Sequence, residues 1–153
     1  LADNKNRAYN LFPVLNRKRF DYYRSLLEEC ELGLENRMNV PVGNLSGGQR
    51  QALALVIANM TKIDMLILDE HTAALDPKSS EIIMKLTDKF VKKSGITTMM
   101  VTHNLRFAIE YGTRLIMMHE GHCVLDIKGE DKQKACVDDI LKLFNEISIE
   151  SGN

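Results

Sequence analysis

The chain is short of the features that mark several large protein classes. Its three cysteines, Cys30, Cys123 and Cys136, form no CxxC pair, which fits neither a disulfide framework nor a thiolate zinc site and reads as reduced, intracellular thiols. No apolar run approaches the roughly 18 residues of a membrane span. The start, Leu1-Ala2-Asp3-Asn4-Lys5, lacks the apolar core of a secretory signal. Charge of one sign is missing too: 20 Lys plus Arg against 21 Asp plus Glu leave a net −1. That is far from the basic excess that drives binding to phosphate backbones, so no nucleic acid is expected as a partner. Nor is there an initiator methionine at Leu1, and the polar stretch to Asn10 carries no start-of-domain pattern, as expected of a piece cut from a longer protein. What is present, 153 residues with 44% hydrophobic and 27% charged, reads as one soluble cytoplasmic domain or a large part of one.

The pattern along the chain changes near Thr61. From Arg17 to Leu34 apolar and charged residues recur at helical spacing, with Gly33 as the expected stop. Asn36 to Asn44 reads as a loop around Pro41 and Gly43. A second, largely buried helix should follow Gly47-Gly48 and run through Ala58. Beyond Thr61, short apolar runs alternate with helices. Met65 to Leu68 and Thr97 to Thr102 read as strands covered on both faces. Glu81 to Lys93 between them reads as an amphipathic helix closed by Ser94-Gly95, and Asn104 to Tyr111 as a short one. Arg114–Met118 and Cys123–Ile127 read as strands about a tight turn, and Asp131 to Ile147 as a closing helix. Strand, helix, strand, helix predicts an α/β fold with a mostly parallel sheet, preceded by an α-helical subdomain: residues 1–60, then 61–153.

Three places carry chemistry. In Leu45-Ser46-Gly47-Gly48-Gln49 two glycines allow close approach of backbone to an anion, the helix start aims free N–H groups at it, and Ser46 adds a hydroxyl at the N-cap position. Standing alone, the same letters describe an ordinary serine-capped helix. Asp69 and Glu70 follow a strand, where ligands gather in open α/β sheets. A carboxylate there can hold Mg²⁺ through water while its neighbour polarises an attacking water. An isolated Asp-Glu pair is also a common strand end. His103 follows the second strand in Val101-Thr102-His103-Asn104; a lone histidine there is more often structural than catalytic.

Taken in order, these residues resemble the ATP-binding-cassette ATPases, a branch of the P-loop NTPases, over nearly the whole chain. Leu45 to Gln49 reads LSGGQ, the family signature, letter for letter. Met65 to Asp69 resembles the Walker B strand, Glu70 the catalytic glutamate, Ala74-Leu75-Asp76 the D-loop and His103 the switch histidine. The resemblance implies ATP and Mg²⁺ as ligands, with Asp69 orienting Mg²⁺ through water and Glu70 as general base. It implies that His103 touches the γ-phosphate and the attacking water. Ser46, Gly47, Gly48 and Gln49 would bind a nucleotide held mainly by an opposite subunit, and Asp76 would link the two sites of a dimer. Such work is positioning and charge stabilisation, most of what phosphoryl transfer asks of a protein.

Two departures stand out. His71 occupies the place where many relatives carry proline. More consequentially, no G-x-x-x-x-G-K-[ST] occurs in these residues, so the loop that cradles the phosphates has to come from outside them. The implied partners are a second nucleotide-binding subunit, transmembrane permease subunits and, for importers, an extracytoplasmic substrate-binding protein. The implied location is the cytoplasmic face of the cell membrane. The basic start Asn16-Arg17-Lys18-Arg19 with Phe20, Tyr22 and Tyr23 reads equally as a permease- or lipid-facing patch and as a solvated helix end. His119, His122 and Cys123 read as a strand turn rather than a metal site. A soluble mechanical ATPase of the same superfamily would show long heptads or tandem cassettes, and neither is seen. A non-catalytic remnant is the third reading. The wording of Asp69 to Pro77 resembles cassettes of importers of small solutes such as amino acids.

Overall fold

The computed structural model describes residues 17–150, and the side chains of residues 19–146. Helix α1 (Arg17–Glu28) ends well before the expected Gly33. Cys30 N binds Leu27 O and Glu31 N binds Glu28 O, and Glu31 enters the left-handed region at φ 56°, a helix-ending conformation. Gly33, at φ 69°, opens a 3₁₀ turn, Leu34–Asn36; a second, Val42–Asn44, lies in the expected loop. Asn16 lies outside the described residues, as do the side chains of Arg17 and Lys18. Tyr22, 54% exposed, and Tyr23 hold their rings 5.6 Å apart on α1.

Helix α2 (Gly47–Asn59) leads to strand β1 (Met65–Asp69), helix α3 (Pro77–Ser94) and strand β2 (Thr97–Val101). Helix α3 starts earlier than the expected Glu81. Asp76 caps it by accepting the Ser79 amide at 3.0 Å, and Pro77, with no N–H to lose, suits the first helical position. It closes at Gly95, φ 65°, as the sequence predicts. Strands β1 and β2 pair in a parallel two-stranded sheet with α3 as the crossover between them. Helix α4 (Leu105–Glu110) precedes the antiparallel hairpin of β3 (Arg114–His119) and β4 (His122–Lys128). Its turn residues Glu120 (φ 46°) and Gly121 (φ 80°) both lie in the left-handed region that a two-residue hairpin loop demands.

The single closing helix expected over 131–147 is two, α5 (Gly129–Lys134) and α6 (Val137–Glu150). Ala135 is extended at ψ 137°, and the Cys136 thiol donates to Asp139 Oδ2 at 3.0 Å across the start of α6. Asp138 and Asp139 in that first turn favour a new helix N-terminus over a continued helix.

Packing groups the chain into two compact units, 1–99 and 100–153, a division different from the sequence-based one at 60/61. The reason is that α2, from the expected helical subdomain, packs on α3, from the expected core. Helix α3 contributes Ile83, Met84, Leu86 and Phe90, α2 contributes Ala52, Leu55 and Val56, and Leu27, Cys30, Leu34, Leu45 and Leu68 are the other buried apolar residues described in the first unit. Each of the larger side chains is worth roughly 1.5–3 kcal/mol of burial. Burial also pushes the Cys30 thiol up to about 11, so it stays an inert, protonated core residue. In the second unit Phe107 of α4 and Ile140 of α6 are buried, α4 packs on α6, and Lys132 of α5 is buried with Nζ donating to Ile109 O at 2.6 Å.

The strands are not covered on both faces, contrary to expectation. Leu68 is buried and Leu66 lines a cavity beside Leu55 and Phe90. The alternate residues stay open: Met65 and Ile67 on β1, Met99 and Val101 on β2. Unbroken apolar runs signal strands that need cover on each side, and among the described residues helices meet one face of β1. No helix among the described residues is long and apolar enough to cross a membrane.

Candidate functional site

The LSGGQ segment folds as a capped helix start. Ser46 is extended (φ −65°, ψ 163°); its Oγ accepts the Gln49 amide at 3.2 Å, while Gln49 Oε1 accepts the Ser46 amide at 3.1 Å. This reciprocal pairing satisfies two helix-end donors at once. Gln49 Nε2 also donates to Leu32 O at 3.0 Å, and Arg50 donates from its guanidinium to Leu45 O. The Gln49 side chain is therefore engaged at both ends within its own chain. What remains for a ligand is the Ser46 hydroxyl proton, since a hydroxyl can accept and still donate. The Gly47 and Gly48 amides add to it: they precede the helical ladder, which opens with Arg50 N on Ser46 O at 2.9 Å. Donors converge there on the positive end of a thirteen-residue helix, an arrangement suited to an anion.

The carboxylates Asp69 and Glu70 are both exposed at the end of β1. Glu70 takes φ 43°, a left-handed conformation that costs a non-glycine residue on the order of 1–3 kcal/mol and collects at functional sites. The loop after it is tied by Ala73 N to Glu70 O at 2.9 Å, Leu75 N to Thr72 O at 3.2 Å and Ser80 Oγ to Thr72 O at 3.2 Å. Hydrogen bonds from Ser79 hold the Asp76 carboxyl below its ordinary range. Its carboxylate thus already serves as the cap of α3. That cap sits against the signature: a Cβ built on Gly47 would lie 2.9 Å from Leu75 Cδ2, and one on Gly48 3.5 Å from Ser79 Cβ.

His103 belongs to the second unit and is exposed. Its neighbours hold it in place. Asn104 N donates to Thr102 Oγ1 at 3.0 Å, and Asn104 Oδ1 accepts the Phe107 amide at 3.2 Å to cap α4. The structure thus sets Gly47 and Gly48 beside Leu75, which precedes Asp76, and Ser79, whose amide Asp76 accepts, while Asp69 and Glu70 stand at the other end of the same loop from Asp76.

Sequence reasoning missed Leu75 and Ser79 as neighbours of the glycines. Asp76-Pro77-Lys78-Ser79 did carry the capping signal, an N-cap acceptor followed by proline. It also left His71 without a role. His71 is half-buried, with Nε2 3.3 Å from Thr87 Oγ1 on α3, and burial lowers its pKa from 6.5. Between that lowered value and 6.5 the unfolded chain binds more protons than the folded one, so stability rises with pH there. The contribution is complete above 6.5 and is lost as pH falls through the folded value. The urea midpoint is expected to fall between about pH 7.5 and 5.5, and His71→Gln to flatten that dependence. The depressed carboxylates Asp76, Asp126 and Asp139 act only below 3.8. Equal slopes for the native and substituted chains would show that His71 is not the group responsible.

The chain has counterparts among known proteins. The family model for ABC transporters matches residues 6–73. A tyrosine transport ATP-binding protein of Clostridioides difficile (strain R20291) is 47% identical over 144 residues, 94% of this chain and 57% of that protein. A phosphonates import ATP-binding protein of Alcaligenes faecalis is 37% identical over 102 residues, 67% of this chain and 36% of that one. In structure, an ATP-binding cassette of an ABC transporter superposes with a TM-score of 0.67 at 24% identity, over 89% of this chain and 53% of its own. The α/β fold is therefore that of the ATP-binding-cassette P-loop NTPases. The chain spans about half the length, or less, of the relatives it matches. With LSGGQ and the strand-end Asp69-Glu70 pair in its sequence, and with relatives of this kind, the chain belongs to the ATP-binding-cassette ATPase family.

Proposed function

We propose that this chain is part of the ATPase subunit of a membrane transporter, in which ATP hydrolysis on the cytoplasmic face drives a permease. The observation that carries the reading is the capped start of α2, where the Ser46 hydroxyl and the Gly47 and Gly48 amides can all donate to an incoming phosphate. These groups hold the γ-phosphate of a nucleotide bound mainly by a second copy or a related subunit. Glu70 takes a proton from the attacking water or orients it, and His103 steadies that water and the γ-phosphate. The exposed Asp69 carboxylate is a hard oxygen donor of the kind Mg²⁺ takes through water. Bound there, Mg²⁺ supplies neutralisation of phosphate charge. Gln49 serves the nucleotide indirectly, by locking Ser46, and Asp76 links the two sites of the dimer. Residues 1–60 act as the helical subdomain and 61–153 as the later part of the nucleotide-binding core.

Amino acids are the solute class best supported, because the 47% identical relative is named for tyrosine transport. An importer of that class works with permease subunits and an extracytoplasmic binding protein. The phosphonate relative shares 37% of its aligned residues, which fits a division of labour in which solute choice lies in those partners.

Calorimetry tests where the phosphates are held. With Mg²⁺ present and the chain verified as folded, ATP should bind this chain more weakly than about 1 mM, which is roughly 4 kcal/mol less binding free energy than a micromolar site has. The full-length protein with its permease should bind and hydrolyse it. Micromolar affinity for this chain, or a full-length protein without ATPase activity, would overturn the reading.

A further inference from the structure

Glycines sit in proteins for two reasons, backbone conformation and space. Among the described residues the glycines at positive φ are Gly33, Gly95, Gly112, Gly121 and Gly129. Gly47 and Gly48 are not among them, so no backbone strain reserves either position for glycine. Alanine would be the better helix former at both. Space separates the two. A methyl on Gly48 would meet Ser79 Cβ at 3.5 Å, an ordinary contact, whereas one on Gly47 would meet Leu75 Cδ2 at 2.9 Å.

Leu75 is half-buried, lies next to the Asp76 cap of α3, and has its amide held by Thr72 O. We infer that Leu75 is a positioning residue for the phosphate-binding turn: it fills the notch left by the missing Cβ of Gly47 and locks the capped start of α2 to the capped start of α3. Gly47 is then glycine for the sake of its own chain's packing. Gly48, whose added methyl the chain accommodates, is glycine for close approach of the ligand. One linked block results, running from Ser46 through Gly47 and Leu75 to Asp76. A displacement at either cap is passed to the other through this contact as well as through the packing of α2 on α3.

The inference rests on the ATPase reading for its function and on the Gly47–Leu75 contact for its geometry, and the two can fail separately. In the full-length protein, Gly47→Ala should keep the fold, since the Leu75 methyl can rotate aside, and should lower kcat about ten-fold or more with little change in KM for ATP. Leu75→Ala should lower kcat about three-fold at unchanged KM, by leaving the turn unsupported. The double variant Gly47→Ala with Leu75→Ala should recover to within about three-fold of the native rate. A double variant as slow as Gly47→Ala alone would show that the methyl obstructs the ligand rather than Leu75, and would overturn the inference. Native kcat in either single variant would do the same. Leucine-methyl NMR reads the contact without activity. The Leu75 methyl signals should move on Gly47→Ala and stay within a small fraction of that shift on Gly48→Ala, whose added methyl meets Ser79 instead. If they stay put in both, the contact is absent. If they move as expected in a protein that hydrolyses no ATP, the ATPase reading has failed and the packing role stands.

Discussion

Replacing Glu70 by glutamine in the full-length protein is expected to slow ATP hydrolysis by about 10²–10⁴-fold, the usual contribution of a positioned general base, while ATP still binds. The amide keeps the size and most of the hydrogen-bonding shape of the carboxylate and loses its basicity. Glu70 is exposed at the end of β1 and held at φ 43°, so its side chain is presented by a backbone conformation that the substitution leaves intact. Because glutamine is no better suited than glutamate to that left-handed position, folding should change little and the rate loss should be chemical. Dimers stabilised by unhydrolysed ATP should accumulate and be measurable by light scattering. A substituted protein that turns over at the native rate would remove Glu70 from the chemistry.

The second large effect concerns which copy completes which site. Ser46 opens α2, and Glu70 follows β1; in the proposed dimer, Ser46 of one copy meets the γ-phosphate bound beside Glu70 of the other. Ser46→Arg would remove the capping hydroxyl, at a cost of about 1 kcal/mol, and place a long cation in the phosphate's path. In a dimer of identical copies, mixing Ser46→Arg chains with Glu70→Gln chains leaves one site wholly native and puts both lesions in the other. Pairing a native chain with a doubly substituted one damages each site once. ATPase activity is expected to survive in the first mixture and to be nearly absent in the second. Survival in the second mixture alone would place Ser46 and Glu70 at one site within a single chain.

Much of this protein was legible in one dimension because the features concerned are local. The start of α2, the end of α3 at Gly95 and the β3–β4 turn each depend on a few adjacent residues whose conformational limits are known. The LSGGQ letters and the strand-end Asp69-Glu70 pair were readable for the same reason. Where local signals competed, the reading slipped: Glu31 ended α1 ahead of Gly33, Asp76 and Pro77 began α3 ahead of Glu81, and Ala135 divided the last helix.

Tertiary structure alone decided the rest. The open faces of β1 and β2, the burial of His71 against Thr87, the engagement of Gln49 with Leu32 and the seating of Leu75 against Gly47 join residues whose spacing in the chain carries no periodic signal. Composition and motif determined that a serine-capped, glycine-bearing helix start and a pair of strand-end carboxylates exist. Their mutual support comes from close packing, where a methyl group placed 2.9 Å from another carbon is felt, and no pattern of letters records that distance.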